Sequence, residues 1–151
     1  MPSSQVPGSA AKQYLFVYGT LLPGQAPAAM ARIVRRLRRV GRGSVGGHLY
    51  DLGRYPGAIL GKPSAGKTSA LVHGQVFELP DDPEILRRLD QYEGFDRDRP
   101  QGSEFVRCER PVVLQGGKRT TCWVYAYNRF PGRAPRIAGG DFSQSRRRAG
   151  R

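Results

Sequence analysis

The chain has 151 residues, 38% of them hydrophobic, and a net charge of +13 from 25 basic and 12 acidic side chains. That length suits one domain with its own core, and the hydrophobic share excludes a disordered chain. No run of apolar residues is long enough to cross a membrane as a helix, and the small, polar residues 1–12 read as the flexible leader of a cytoplasmic protein, without the apolar stretch of a secretory signal.

Tyr14–Tyr18 reads as an apolar strand stopped by Gly19. Ala28–Val40 has helical spacing, with Met30, Ile33, Val34 and Leu37 on one face and arginines opposite, and the glycines from Gly41 to Gly47 should break it. His48–Leu52 and Ala58–Leu60 predict short strands around a Tyr55-Pro56-Gly57 turn. Residues 61–69 predict a polar loop and Leu71–Leu79 a strand. Asp82 is placed to cap a helix with Pro83 at its first position, Ile85, Leu86 and Leu89 inward, and Gly94 just past its end. After a charged loop, Phe105–Leu114 and Arg119–Tyr127 predict a long hairpin, with Pro111 at an edge or bulge. The domain is expected over residues 13–130, and 131–151, without periodicity, as an irregular basic tail. Many strands and two helices out of strict alternation predict an α+β fold with a curled mixed or antiparallel sheet.

The positive charge is concentrated in Arg32, Arg35, Arg36, Arg38, Arg39 and Arg42 and in the tail. No aromatic residues interleave with these arginines, so a solvated helix face and a basic tail are expected, not a nucleic-acid surface. A two-residue turn at Gly116-Gly117 would pair Gln115 with Lys118, set Cys108 opposite Tyr125 and Cys122 opposite Pro111, and put the two thiols on opposite faces. Two reduced cysteines are therefore expected.

Two glycine patterns fail their context. The sequence from Gly61 to Thr68 fits the phosphate-loop pattern by letter, but the residues that follow read as a strand, where a phosphate loop needs a helix. A flexible surface loop that binds no nucleotide is expected. Gly41-Arg-Gly-Ser-Val-Gly46 follows a helix and enters a strand, the reverse of the dinucleotide-binding order. The two histidines and two cysteines lack metal-ligand spacing.

A carboxylate at the end of an apolar helix is a different matter. Glu93 closes the segment Leu-Asp-Gln-Tyr-Glu-Gly, where the partial negative charge of a helix C-terminus and the apolar Leu86, Leu89 and Tyr92 both raise its pKa. A raised pKa suits a group that takes and returns a proton near neutral pH. Tyr18-Gly19-Thr20-Leu21 follows a strand, and a glycine with positive φ there would let successive N–H groups converge on an anion. On chemistry alone, an exposed helix terminus and an ordinary turn remain open for these two segments.

Five segments occur in one order: Phe16-Val-Tyr-Gly-Thr-Leu-Leu-Pro-Gly-Gln25, Arg54-Tyr-Pro-Gly-Ala58, Val72-His-Gly-Gln-Val-Phe-Glu-Leu79, Leu89–Gly94 and Trp123-Val-Tyr-Ala-Tyr-Asn128. Together they resemble the γ-glutamylcyclotransferase-like family, especially its γ-glutamylamine cyclotransferase and AIG2-like branch. The resemblance implies a small mixed, curled β-barrel with flanking helices. It implies a substrate-binding loop at Tyr18, Gly19, Thr20 and Leu21, a catalytic glutamate at Glu93, and no metal or cofactor. Tyr55 and Tyr125 are candidate pocket walls. Ala28-Ala29 stands where relatives often carry Asn-His, and Phe105 where they often carry tyrosine, changes that bear on the leaving group.

The implied reaction is cyclisation of a γ-glutamyl amine or amide to 5-oxoproline and a free amine, on a small substrate and without a membrane or nucleic-acid partner. Glu104 and Glu109, outside the motif, are expected to be nearly silent on substitution. A non-catalytic ligand-binding relative and a basic nucleic-acid-binding protein are the alternatives.

Overall fold

The computed structural model describes residues 12–21, 26–61 and 70–142. In chain order the elements are β1 (Tyr14–Val17), α1 (Ala28–Arg35), β2 (Arg38–Asp51), β3 (Pro56–Leu60), β4 (Leu71–Glu78), α2 (Pro83–Glu93), β5 (Phe105–Leu114) and β6 (Arg119–Tyr127). Five strands form a ring in the order β2-β4-β1-β6-β5, closed where Gly43 and Ser44 of β2 pair with Leu114 and Val113 of β5. β1 and β6 are parallel and the other pairings antiparallel, so the sheet is mixed. β3 lies against the second half of β2. The result is the α+β architecture expected, a small curled barrel with two helices.

Strand alternation sorts the apolar residues into two clusters. Phe16, Tyr18, Val45, Val72, Val76, Val112 and Val124 fill the barrel interior. Leu15, Val17, Phe77 and Leu79 point the other way, against Met30 and Ile33 of α1 and Ile85 and Leu89 of α2. Burying an apolar side chain of this size stabilises the fold by about 1.5–3 kcal/mol, which is what holds each helix on the sheet.

The first helix is shorter than its sequence predicts. It ends at Arg35, and Arg38–Asp51 is one 14-residue strand that runs through the glycines expected to break the chain. The glycines serve close packing at the ring closure: a Cβ on Gly43 would lie 2.9 Å from Val112 Cγ1. Strand capture also divides the expected arginine face. Arg38 pairs with Glu78, Arg39 Nε donates to Gln75 (2.8 Å), Arg42 lies 3.5 Å from Asp141, and Arg36 bridges to Asp82 at 2.9 Å. The Gly41–Gly46 pattern therefore sits within a strand and forms no binding turn.

The β5–β6 hairpin turns through three residues, not two. Val113 pairs with Arg119, Leu114 N–H donates to the Lys118 carbonyl, and Gly116 and Gly117 take φ of 107° and 101°. This one-residue difference changes which side chains share a face. Cys108 lies opposite Val124 and Cys122 opposite Arg110, so the cysteines are diagonal neighbours on one face; both are free thiols.

Between Phe130 and Phe142 the chain is irregular but pinned to the sheet. Arg136 bridges to Tyr50, Ile137 N–H donates to Leu49 O (2.8 Å), His73 N–H donates to Gly140 O (2.7 Å), and Phe142 is 3% exposed. Lys62–Thr68 of the phosphate-loop pattern, residues 1–11 of the leader and residues 143–151 of the tail lie outside the described residues. The strand expected after that pattern is β4. Among the described residues no helix is long and apolar enough to cross a membrane.

Candidate active site

α2 delivers a carboxylate to the end of β1 by standard helix chemistry. Asp82 accepts a hydrogen bond from Glu84 N–H (3.0 Å) and Pro83 opens the first turn. Ile85 and Leu89 bury the inner face, and Gly94, at φ 76°, ends the helix in the left-handed conformation that glycine takes without strain. Glu93 is thus the last helical residue.

Glu93 lines a cavity of about 260 Å³ together with Tyr18, Gly19, Thr20, Leu21, Tyr55 and Tyr125, so all seven residues singled out in the sequence border one space. Its floor is made of buried residues such as Leu15, Val17 and Tyr18. Its rim is made of the more exposed Thr20, Tyr55, Tyr92 and Glu104.

Glu93 is half-buried. Loss of solvent pushes its pKa up to about 8, and the negative charge of Glu104 adds to the rise. Among the described residues no group donates a hydrogen bond to its carboxyl. The tyrosines are held from behind. Tyr18 OH donates to the Tyr125 carbonyl (2.6 Å) and accepts from Ala58 N–H (3.1 Å). Burial, with Glu93 nearby, raises its pKa well above the ordinary phenol value. Tyr125 OH donates to Asp90 Oδ1 (2.6 Å), and burial followed by that bond raises its pKa. Asp90 also accepts from Arg107 Nε (2.7 Å) and Nη2 (3.1 Å), while the Arg107 guanidinium stacks 4.3 Å from the Trp123 ring centre. Tyr55 OH donates to Glu104 Oε2 at 2.5 Å, which with burial pushes its pKa up to about 12. Thr20 and Tyr92 hydroxyls share a 3.0 Å bond at the rim.

Two expectations are corrected here. Gly19 does not take positive φ. A glycine is required because a Cβ would lie 2.8 Å from Pro56 Cγ. None of the backbone hydrogen bonds among the described residues uses the N–H groups of Gly19, Thr20 or Leu21. Glu104 is not a bystander, since it borders the cavity and acts electrostatically on Glu93. It enters from a loop, where no periodicity marks an inward side chain. Asp90 was missed as well, although its position three residues before Glu93, on the same helix side as Leu86 and Leu89, carried the signal of a buried carboxylate awaiting a cation.

Among the described residues no cluster of three or more His, Cys, Asp and Glu is placed to hold a metal ion.

Solved structures of the same shape include YkqA from Bacillus subtilis, with a TM-score of 0.67 and 17% identity over 93% of this chain. This chain spans 43% of that protein's length. PH0828 from Pyrococcus horikoshii gives 0.62 and 22% over 91% of this chain and 96% of its own. An AIG2-like protein from Mus musculus gives 0.59 and 23% over 81% and 82%. Likenesses at this identity speak for the fold alone. No curated protein matches the chain. The family model described as gamma-glutamyl cyclotransferase, AIG2-like, matches residues 15–144, which takes in both the β1-end loop and Glu93, and it is to this family that the chain belongs.

Proposed function

We propose that the protein cyclises γ-glutamyl amines or amides, releasing an amine and 5-oxoproline. The observation that carries this reading is the shared cavity: among the described residues, a carboxyl with a raised pKa and no hydrogen-bond partner lines the same space as a loop whose N–H groups make no backbone hydrogen bond. In this reading the substrate's α-amine attacks its own γ-carbonyl carbon. A C–N bond forms, and Glu93 takes the proton lost by the attacking nitrogen. The loop N–H groups of Gly19, Thr20 and Leu21 hold the substrate carboxylate or the developing oxyanion. Glu93 then returns its proton to the departing nitrogen as the original amide bond breaks. The walls of Tyr55, Tyr125 and Phe105 fold the glutamyl chain back on itself, and this fixed geometry replaces a costly loss of rotational freedom.

A carboxyl with pKa about 8 is matched to both halves of this cycle. It is a stronger base than an ordinary glutamate and still a competent acid near neutral pH. A screen of γ-glutamyl amines, amides and dipeptides for 5-oxoproline release tests the proposal. Release from at least one of them, stoichiometric with free amine, is expected. No release from any of them, with ligands still binding in the cavity, would assign the site to binding alone.

A further inference from the structure

The hydrogen bonds around Asp90 fix where one proton sits. Arg107 donates to both carboxylate oxygens, through Nε to Oδ1 (2.7 Å) and through Nη2 to Oδ2 (3.1 Å). Its guanidinium lies over the Trp123 and Phe95 rings, 4.3 and 5.7 Å from their centres, and the side chains of the pair are almost wholly buried. A guanidinium has only donors, and a carboxylate paired with it in this way has only lone pairs to offer. In the 2.6 Å contact between Tyr125 OH and Asp90 Oδ1 the proton therefore belongs to the phenol.

The consequence lies on the cavity side. With its proton committed to Asp90, the Tyr125 oxygen keeps lone pairs and has no proton to give a ligand. Among the described residues it has no other hydrogen-bond partner. Tyr18 differs, because its hydroxyl both donates and accepts within the protein. Asp90 stands three residues before Glu93 on α2, and side chains at that spacing are neighbours on a helix surface, about 5–6 Å apart. The phenol oxygen anchored to Asp90 is thus set one helical turn from Glu93, and both residues line the cavity. Burial and the bond to Asp90 keep the phenol protonated, and the charge of Glu93 adds to this.

Resting on the cyclisation reading, we propose that Tyr125 accepts a hydrogen bond from the substrate's α-amine, and that Asp90, held by Arg107, is the positioning residue that keeps Tyr125 an acceptor. An amine ready to attack has two N–H bonds and one lone pair. With one N–H on Tyr125 Oη and the other on Glu93, rotation about the Cα–N bond stops, and the lone pair is aimed at the γ-carbonyl carbon. As the C–N bond forms, the N–H facing Glu93 gives up its proton to that carboxylate. The proton of Tyr125 stays on the phenol, bonded to Asp90. A hydroxyl turned round to donate into the cavity would compete for the lone pair that must attack.

Two compounds isolate the amine: γ-glutamyl-butylamine, and N-butylglutaramate, the same amide without the α-amine, which cannot cyclise and serves as a competitive inhibitor. Tyr125→Phe should lower kcat/KM for the first about tenfold or more, the worth of a hydrogen bond to a charged or reacting group, while inhibition by the second changes less than threefold, roughly the limit of a contact not involving the amine. Asp90→Asn should do the same, because its amide N–H can donate to the Tyr125 oxygen and turn the phenol proton into the cavity. The double variant should lose little more than either single one, as two residues acting through one bond require. An unchanged kcat/KM in Tyr125→Phe would overturn the proposal. So would inhibition that weakens in parallel with kcat/KM, or losses that add in full, since these mark a merely structural role for Asp90. All three results leave cyclisation intact. Tyr125→Phe preserves the Asp90–Arg107 pair, so it carries the test by itself if Asp90→Asn does not fold. If the wild type does not turn γ-glutamyl-butylamine over, calorimetric binding of the two compounds decides. Tighter binding of the amine-bearing one, lost in Tyr125→Phe, supports the proposal and equal binding overturns it, while the cyclisation reading stands or falls on the broader screen.

Discussion

Glu93→Gln offers a test of the electrostatics of the site that needs no substrate. In the unfolded chain a glutamate ionises near 4.5, whereas in the fold Glu93 holds its proton to about pH 8. Between these values the native state binds a proton that the unfolded state has lost, so stability falls as pH rises. The contribution is fully present below pH 4.5 and gone above about pH 8. Each pH unit across that interval is worth at most about 1.4 kcal/mol. Because Glu93 is only half-buried and faces an open cavity, roughly 2–3 kcal/mol in total is the reasonable size after solvent screening. Glutamine has the same shape and does not titrate. The variant should therefore match the wild type near pH 5 and exceed it by roughly 2–3 kcal/mol at pH 9, aided by removal of a charge from a helix C-terminus. Urea denaturation of both proteins at pH 5, 7 and 9 measures the difference. Two stability curves that stay parallel across this range would show that Glu93 ionises as an ordinary surface carboxylate, and the argument from its burial would fail.

Glu104→Gln removes the negative charge that helps raise the Glu93 pKa, so the acid limb of the kcat/KM profile, expected near pH 8 in the wild type, should move to lower pH; a limb that stays in place or moves up would contradict the coupling. Asp90→Ala strips the partner from an Arg107 whose side chain is 8% exposed, and should cost about 3–5 kcal/mol in chemical denaturation, with a loss under 1 kcal/mol counting against the account. Gly19→Ala places a methyl 2.8 Å from Pro56 Cγ and should cost about 1–3 kcal/mol. Because that collision sits in the cavity wall, the variant should also lose ligand affinity, and unaltered stability and binding would show that Pro56 yields freely.

How much of this was legible in the sequence depends on the kind of signal each part carries. α2 was readable because its capping Asp82, its first-turn Pro83, its apolar spacing and its terminal Gly94 all agree, and local physics suffices to place Glu93 at its end. The strand β2 was not readable, because a glycine-rich run looks like a break until Val112 arrives from 69 residues away to require the missing side chain at Gly43. The hairpin register turned on whether two or three residues make the turn, a choice that Gly116 and Gly117 leave open and that flips every side chain between faces. Glu104 lies outside the motif that marks Glu93, and no period marks a side chain just before a strand as inward. Its place in the cavity comes from the 3₁₀ turn at Pro100–Gly102 and from Asn128, whose side-chain amide donates to the Pro100 and Ser103 carbonyls at 3.0 Å each.

The central claim is that Glu93 carries the proton in the ring-closing step. Steady-state kinetics of Glu93→Gln, on a γ-glutamyl amine that the wild type converts to 5-oxoproline, tests it most directly. The account predicts a fall in kcat of ~10²–10⁴-fold with KM little changed, because the glutamyl group is gripped by the Gly19–Leu21 loop and not by the carboxyl. A variant that folds, binds and turns over at close to the wild-type rate would contradict it.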